Sequence, residues 1–280
     1  MSAGTPSFDL HCHSTHSDGL LAPTAVVERA ARRGVQVIAL TDHDETSGLE
    51  DARAAAAVAG IRFLDGVEIS VTWNDHTLHI VGLAVDPRNE TLDQGLHRNR
   101  SGRSARAERI AAALEKIGIP GTLAGAGKYV TNPDLVSRTH FARHLVASGR
   151  ARNTQLVFDR YLGVGRPGYV AHVWAGLGEA IAWIAAAGGL PVLAHPGRYK
   201  MDDASRRTLL GAFRDLGGVG IEVVTGSHSP DEYGYWGKRA CEFGLLASVG
   251  SDFHGAGESH RDLGDLPALP AGCTPVWTRL

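Results

Sequence analysis

The sequence predicts an α/β protein whose βα units wind around a parallel sheet or barrel, and two observations carry that prediction. Short apolar, β-branched runs alternate with segments of helical periodicity over residues 8–85, and the same rhythm resumes after residue 169. Histidines and carboxylates recur where those runs end, which is where folds of this class place their active sites. A chain of 280 residues holds one such domain, or a core domain with an insertion.

Taken in order, residues 8–13 form the first strand, and alternation turns His11 and His13 to one face with Leu10 and Cys12 on the other. Two imidazoles so placed can chelate a divalent ion, and Asp18, in the turn that Gly19 permits, can reach that ion or its neighbour. Pro23 opens a helix in which Val26, Val27, Ala30 and Ala31 recur at helical spacing, and Gly34 ends it. Residues 35–40 make a strand buried on both faces, ending in Thr41-Asp42-His43-Asp44. A helix over 48–59 stops at Gly60. Strand 61–69 then carries Glu68 near its end, and strand 78–85 carries His79 at its start. His79 is at the wrong end for an all-parallel order, so its strand runs antiparallel or bends.

Between residues 91 and 168 the composition changes. Arg98, Arg100, Arg103, Arg106, Arg109, Arg138, Arg143, Arg150, Arg152 and Arg160 concentrate there, and helical spacing dominates, as over 105–117 and 140–148. This predicts a helical insertion laying basic side chains over the site, although any single arginine of such a set is more often a solvated charge. The barrel is then assembled from 1–90 and 169–280. Its second part comprises helix 177–187, strand 190–194 ending in His195-Pro196-Gly197-Arg198, helix 205–216, and strand 220–224 before Thr225-Gly226-Ser227-His228. Helix 231–243 and strand 245–250 follow, with Ser251-Asp252-Phe253-His254 just beyond, and the Gly- and Pro-rich tail 255–280 wraps the fold.

Bulk properties exclude several classes. A net charge of −2 gives no electrostatic sign of a nucleic-acid-binding protein. Cys12, Cys241 and Cys273 are too scattered for a disulfide framework or a thiolate metal site. Residues 1–6 show no leader pattern and no window is apolar enough to span a bilayer, so a reducing cytoplasm is the default location and no membrane contact is expected.

The strand-end candidates are His11, His13, Asp18, His43, Glu68, His79, His195, Asp252 and His254. Coincidence supplies two or three such residues, not nine in succession. The motifs HxH at 11 and 13, SDG at 17–19, TDHD at 41–44, GVE at 66–68, HxxG at 79–82, AHPG at 194–197 and SDFH at 251–254 resemble those of the polymerase and histidinol phosphatase (PHP) family. The resemblance implies a distorted (β/α)7 barrel holding three divalent ions with those nine side chains as ligands. Within the family, the insertion and the stretches NPDLVSRTHFARHL (132–145) and GYVAHVWA (168–175) are similar to bacterial nucleoside 3′,5′-bisphosphate phosphatases; other relatives are 5′-3′ exoribonucleases on short RNA.

The residue chemistry agrees with that implication. Imidazole and carboxylate donors without thiolate suit manganese, iron or zinc, with manganese favoured. Three carboxylates against three divalent ions leave an excess of about three positive charges, taking imidazoles as neutral, which calls for anions such as a phosphate monoester and a hydroxide. Glu68, with two oxygens in mid-cluster, suits a bridging role, and Asp9 and Asp42 are expected to orient imidazoles. Arg106 and Arg138 suit phosphate recognition, the resemblance adding Arg109 and Thr139, and Gly19 lets a substrate approach the backbone. His172 and His228 are weaker candidates for protonating the leaving oxygen, a histidine so placed being more often structural. His140 and His144, one helical turn apart, could line the insertion's inner face.

The expected activity is therefore hydrolysis of the 3′-phosphate of a nucleoside 3′,5′-bisphosphate by a metal-activated hydroxide, with no obligate protein partner. The alternative is stepwise trimming of short RNA from its 5′ end; an aromatic content of 6% offers few stacking platforms and favours the small nucleotide. A non-catalytic scaffold module is a third reading, disfavoured because such a module loses ligands.

Overall fold

A computed structural model describes residues 7–280; residues 1–6, where no leader pattern is expected, lie outside the described residues. The first half of the barrel comprises β1 (Phe8–Asp9), α1 (Pro23–Arg32), β2 (Val37–Leu40), α2 (Leu49–Ala59), β3 (Arg62–Trp73) and β4 (His76–Leu83). Helices α3 (Glu90–Ser101), α4 (Arg103–Lys116), α5 (Thr122–Gly127), α6 (Arg138–Ala147) and α7 (Thr154–Val157) follow, the last continuing into a π-helical turn at Phe158–Leu162. The barrel resumes with β5 (Ala175–Gly176), α8 (Leu177–Ala186), β6 (Leu190–Leu193), α9 (Asp203–Asp215), β7 (Gly220–Thr225), α10 (Pro230–Phe243) and β8 (Leu246–Gly250).

The strands pair in the order β1-β2-β3-β4-β6-β7-β8, with β5 added to β3 outside that path. The ring is completed where Leu10 N donates to Val249 O at 3.0 Å and Asp252 N to His11 O at 2.9 Å. All these pairings are parallel except that β4 runs antiparallel to both β3 and β6. Its cause is a tight hairpin at Asn74 and Asp75, whose positive φ values of 44° and 63° match the turn that two extended strands need. Strand β3 therefore continues past residue 69, and Glu68 sits within it. The reversal also brings the start of β4, with His79, to the rim where the parallel strands end.

Side-chain alternation divides the apolar residues into layers. On β2, Val37 and Ala39 point into the barrel with Leu10, Leu64, Val81, Val192 and Ala194, whereas Ile38 and Leu40 pack outward with Val26, Val27 and Ala52 of α1 and α2. The tail closes the opposite end from the rim. Pro275 bridges to Ala247, Val276 is buried in the barrel interior, and Trp277 stacks on Phe8 with ring centroids 4.2 Å apart. Arg29 pairs with the tail's Asp262 at 2.6 Å, a half-exposed contact contributing under about 1 kcal/mol.

The helical segment has its own apolar cluster, built from Ala107, Ile110, Leu114, Phe141, Leu145, Val157 and Leu162. Helix α3, though within the expected insertion, packs with the barrel instead: Leu92 and Leu96 join the cluster of Trp183 and Ile184. Gly95 makes that contact close, since a Cβ there would lie 2.3 Å from the Trp183 ring.

Candidate metal centre and its cationic cover

Beyond the short β1, Cys12 bridges to Phe253, but Leu10 falls in the barrel interior while Cys12 joins the outer layer, so the two do not share the one face that strict alternation predicts. Cys12 is buried in the outer apolar layer, and His11 and His13 turn to the rim with ring centroids 5.1 Å apart. Glu68 stands at the centre. Its Oε2 is 3.3 Å from Nε2 of His11, 3.3 Å from Nε2 of His13 and 2.9 Å from Nδ1 of His43. Its Oε1 is 2.9 Å from Nδ1 of His79 and 2.9 Å from Nε2 of His195. Asp252 Oδ1 lies 3.4 Å from His13 Nε2 and 3.6 Å from His254 Nδ1, and Asp18 Oδ1 lies 3.3 Å from His254 Nε2. The structure thus gathers every one of the nine strand-end candidates into one cluster.

These side chains fit divalent ions. Donor atoms each about 2.0–2.2 Å from one ion are about 3–3.5 Å from one another, which is the spacing seen here. Three overlapping groups, namely His13, Asp18, His43 and His254; His11, His13 and Asp252; and His43, Glu68 and His79, each keep their donor atoms within 4.8 Å. Asp18 Oδ1, His43 Nδ1 and Glu68 Oε2 are buried without a hydrogen-bond partner, a costly arrangement that a cation relieves. Burial pushes the Glu68 carboxyl up, yet the surrounding imidazoles of His79, His11 and His43 outweigh it and hold it well below the usual range. Asp18 and Asp252 are held down in the same way.

Facing this cluster is a cationic wall. Arg103 and Arg106 on α4 lay their guanidinium groups over Trp174 at 4.7 and 5.5 Å, and Arg138, opening α6, lies 5.7 Å over Phe158. Arg198 donates to Asp252 Oδ2 at 2.8 Å. With Thr139 these arginines line the same cleft as the imidazoles. Burial first, then the charges of Arg138 and Arg103, push Arg106 down to about 9. That repulsion is what an anion between them would relieve.

A family model described as the PHP domain matches residues 9–120. The 3′,5′-nucleoside bisphosphate phosphatase of Chromobacterium violaceum is 51% identical over 274 residues, covering 98% of this chain and 96% of that one. The chain belongs to the PHP family. A 5′-3′ exoribonuclease of Haemophilus influenzae is 43% identical over 250 residues, with 89% and 90% of the two chains covered. Among solved structures, an amidohydrolase from Chromobacterium violaceum with bound sulfate superposes with a TM-score of 0.95 at 50% identity, covering 98% of this chain and 95% of that one.

Around the PHP cluster several residues lie elsewhere than expected. Asp9 touches no imidazole: it accepts from the backbone N–H groups of Ser251 and Gly264 at 2.8 and 3.0 Å, joining β8's exit to the tail. Asp42 accepts from Ser14 N at 2.8 Å and from the Ser14 and Ser17 hydroxyls, bracing the 14–17 turn; it reaches His13 only through Ser17, whose Oγ is 3.4 Å from Nδ1. The imidazole-orienting carboxylate is Glu222 of β7. Its Oε1 accepts from His11 Nδ1 at 2.7 Å, which turns Nε2 toward the cluster, and its Oε2 accepts from His195 N at 2.6 Å. An acid inside the apolar run Ile221-Glu222-Val223-Val224 was the available signal.

Gly19 is buried and does not line the cleft; a Cβ there would meet the His13 carbonyl at 2.5 Å, so its smallness serves its own loop. Arg109, one turn beyond Arg106 on α4, is exposed and does not line the cleft. His172 packs behind Trp174, ring centroids 4.1 Å apart, and also lies outside the cleft. His228 accepts from Gly197 N at 2.9 Å through Nε2 and donates Nδ1–H to Val223 O at 3.1 Å, so both nitrogens are committed to holding the Pro196–Arg198 turn. Neither histidine is placed to protonate a leaving group. His140 is buried, its Nδ1 accepting from Ser137 N at 3.0 Å as a cap of α6, and His144 packs on Gly125.

Asp44, next to His43 in the TDHD motif, had no role assigned from the sequence. Held at a left-handed φ of 50° and fully buried, it accepts from Ser70 N at 2.9 Å, from Asn99 Nδ2 at 3.0 Å and from Arg103. Its carbonyl accepts from Arg100 at 2.7 Å. One carboxylate therefore locks the His43 loop, β3, α3 and α4 together.

Proposed function

We propose that this protein is a metal-dependent phosphatase that removes the 3′-phosphate of nucleoside 3′,5′-bisphosphates and leaves the nucleoside 5′-monophosphate. The observation that carries this reading is the single cleft with a donor cluster on one wall and Arg106 and Arg138 on the other. The name of the 51% identical relative supports the substrate class.

In this reading the nine imidazoles and carboxylates would hold three divalent ions, manganese, iron or zinc, with Glu68 at the centre of the set. Ions bound there supply Lewis acidity, a water of lowered pKa and charge for the phosphoryl oxygens. Arg106 and Arg138 hold phosphate oxygens through paired N–H donors, and Thr139 adds a hydroxyl. Trp174 and Phe158 shield those guanidinium groups from water, which strengthens their pull on an anion. Glu222 and Asp44 keep the His11 and His43 sides of the cluster in place, and Arg198 fixes Asp252.

The second reading, trimming of short RNA, draws on one observation. Past Arg198 and Phe158 the cleft opens into a hollow of about 340 Å³ bordered by Thr154, Gln155, Ser227 and His260, room for more than a phosphate. Relatives named 5′-3′ exoribonucleases share 40–43% identity with this chain. The test compares kcat/KM for adenosine 3′,5′-bisphosphate, 3′-AMP and a short 5′-phosphorylated oligoribonucleotide at two salt concentrations, with metal added. Highest efficiency on the bisphosphate, with 5′-AMP as product, is the expected result. Faster stepwise shortening of the oligonucleotide, weakening steeply with salt, would overturn it.

A further inference from the structure

Away from the cleft, α10 and the tail bring two thiols to one patch. Gly237 and Cys241 are one turn apart and so share a face of α10. Against that face runs the tail. Cys273 Sγ sits over Gly237, 3.1 Å from where a Cβ would be, and Cys241 Sγ donates to the Gly272 carbonyl at 3.4 Å. The absence of a side chain at 237 is what lets the tail's thiol settle on the helix. Cys241 is exposed, Cys273 is half-buried, and the remaining cysteine, Cys12, is fully buried in the barrel's outer layer.

We infer that Cys241 and Cys273 are a dithiol couple that small disulfides convert to an intramolecular disulfide, fastening the tail to α10. The thiolate of exposed Cys241 attacks one sulfur of an oxidant such as glutathione disulfide, forming a mixed disulfide and expelling one glutathione thiolate. Cys273 then attacks the Cys241 sulfur and expels the second glutathione. The two protein thiols lose two electrons and two protons, and the oxidant leaves as two thiols. The order follows from access. Burial and the neighbouring Cys241 both raise the Cys273 thiol, which lowers its thiolate fraction and leaves the first attack to exposed Cys241.

The bond would close a loop of roughly thirty residues that contains all of β8 and the connection from Asp252 to the barrel floor, constraining the unfolded chain most where the fold joins its two ends. Catalytic residues are not involved, so the inference stands apart from the proposed activity.

The experiment treats the whole protein with glutathione disulfide and maps peptides without reduction, alongside thermal unfolding. The expected result is a peptide linking Cys241 to Cys273, free Cys12, and a rise in Tm of about 6 °C that dithiothreitol reverses. Cys273→Ser should stop the reaction at a glutathione adduct on Cys241 with no rise in Tm, and Cys241→Ser should prevent both. A stable adduct on wild-type Cys241 with Cys273 free, a cross-linked dimer, or two unreacted thiols would each overturn the inference.

Discussion

The two walls of the cleft hold their charges in opposite ways. On the barrel side, imidazoles and carboxylates from strand ends crowd one another with donor atoms left unpartnered, as at Glu68 and Asp18. On the helical side, Arg106 and Arg138 meet no carboxylate within salt-bridge distance among the described residues and are covered by Trp174 and Phe158, with a carbonyl to each, Val170 for Arg106 and Leu162 for Arg138. The donor cluster lacks a cation, and Arg106 and Arg138 lack an anion. A phosphate ester with its metal ions supplies both, so neither wall reaches its best electrostatic state until substrate and metal are present together.

The largest test of that contrast is Glu68→Gln, which removes the central charge of the barrel wall. Metal content should fall and phosphate release should drop by several orders of magnitude. Near-normal metal content and turnover would mean that this wall is not the cation-holding one.

The helical wall should instead be separable from the barrel by pH. Burial pushes His140 down to about 4 from 6.5. Its neutral form is thus favoured in the folded state, and the stability it contributes is complete above pH 6.5 and lost as pH falls toward 4, about 3 kcal/mol in all. Amide exchange in α6, compared between the wild type and His140→Asn, which keeps an acceptor for Ser137 N–H, should show that loss only in the wild type. Equal pH profiles would show that His140 does not govern the insertion.

Arg106→Ala and Arg138→Ala should each lower kcat/KM by about tenfold to a hundredfold, the value of about 1.5–3 kcal/mol for a charged hydrogen bond, with metal content unchanged. Metal lost along with activity would merge the two walls into one. The smallest effect belongs to Arg109→Ala, exposed on α4 and absent from the cleft lining, where kcat/KM should stay within about twofold.

How legible these walls were in the sequence differs for physical reasons. The barrel donors stand at fixed offsets from apolar runs, and spacing such as His11-Cys12-His13 carries direction by itself. Asp42 and Glu222 show the limit. Asp42 neighbours a cluster residue in sequence but braces a turn, whereas Glu222 reaches His11 only because β7 and β1 lie close across the barrel, a relation that closure creates and no local pattern contains. The hairpin at Asn74-Asp75 was readable as turn chemistry, and overlooking it shortened β3. In the insertion, composition announced a basic helical segment. Which arginine faces the cleft depended on Trp174 and Phe158, contributed by segments outside α4 and α6.

The meeting of both ends of the chain at β1 sets the order of assembly during synthesis. His11 and His13 emerge from the ribosome early, but their partners Asp252 and His254 follow more than two hundred residues later, and Val276, which fills the barrel floor, later still. At about 5–20 residues per second, the N-terminal βα units wait on the order of ten seconds or more with their inward faces uncovered. Pairing so distant in sequence is also slow to form once available. Only the helical segment, whose cluster draws on residues 107–162, can pack fully beforehand, so the arginine-bearing lid is finished before the barrel it covers.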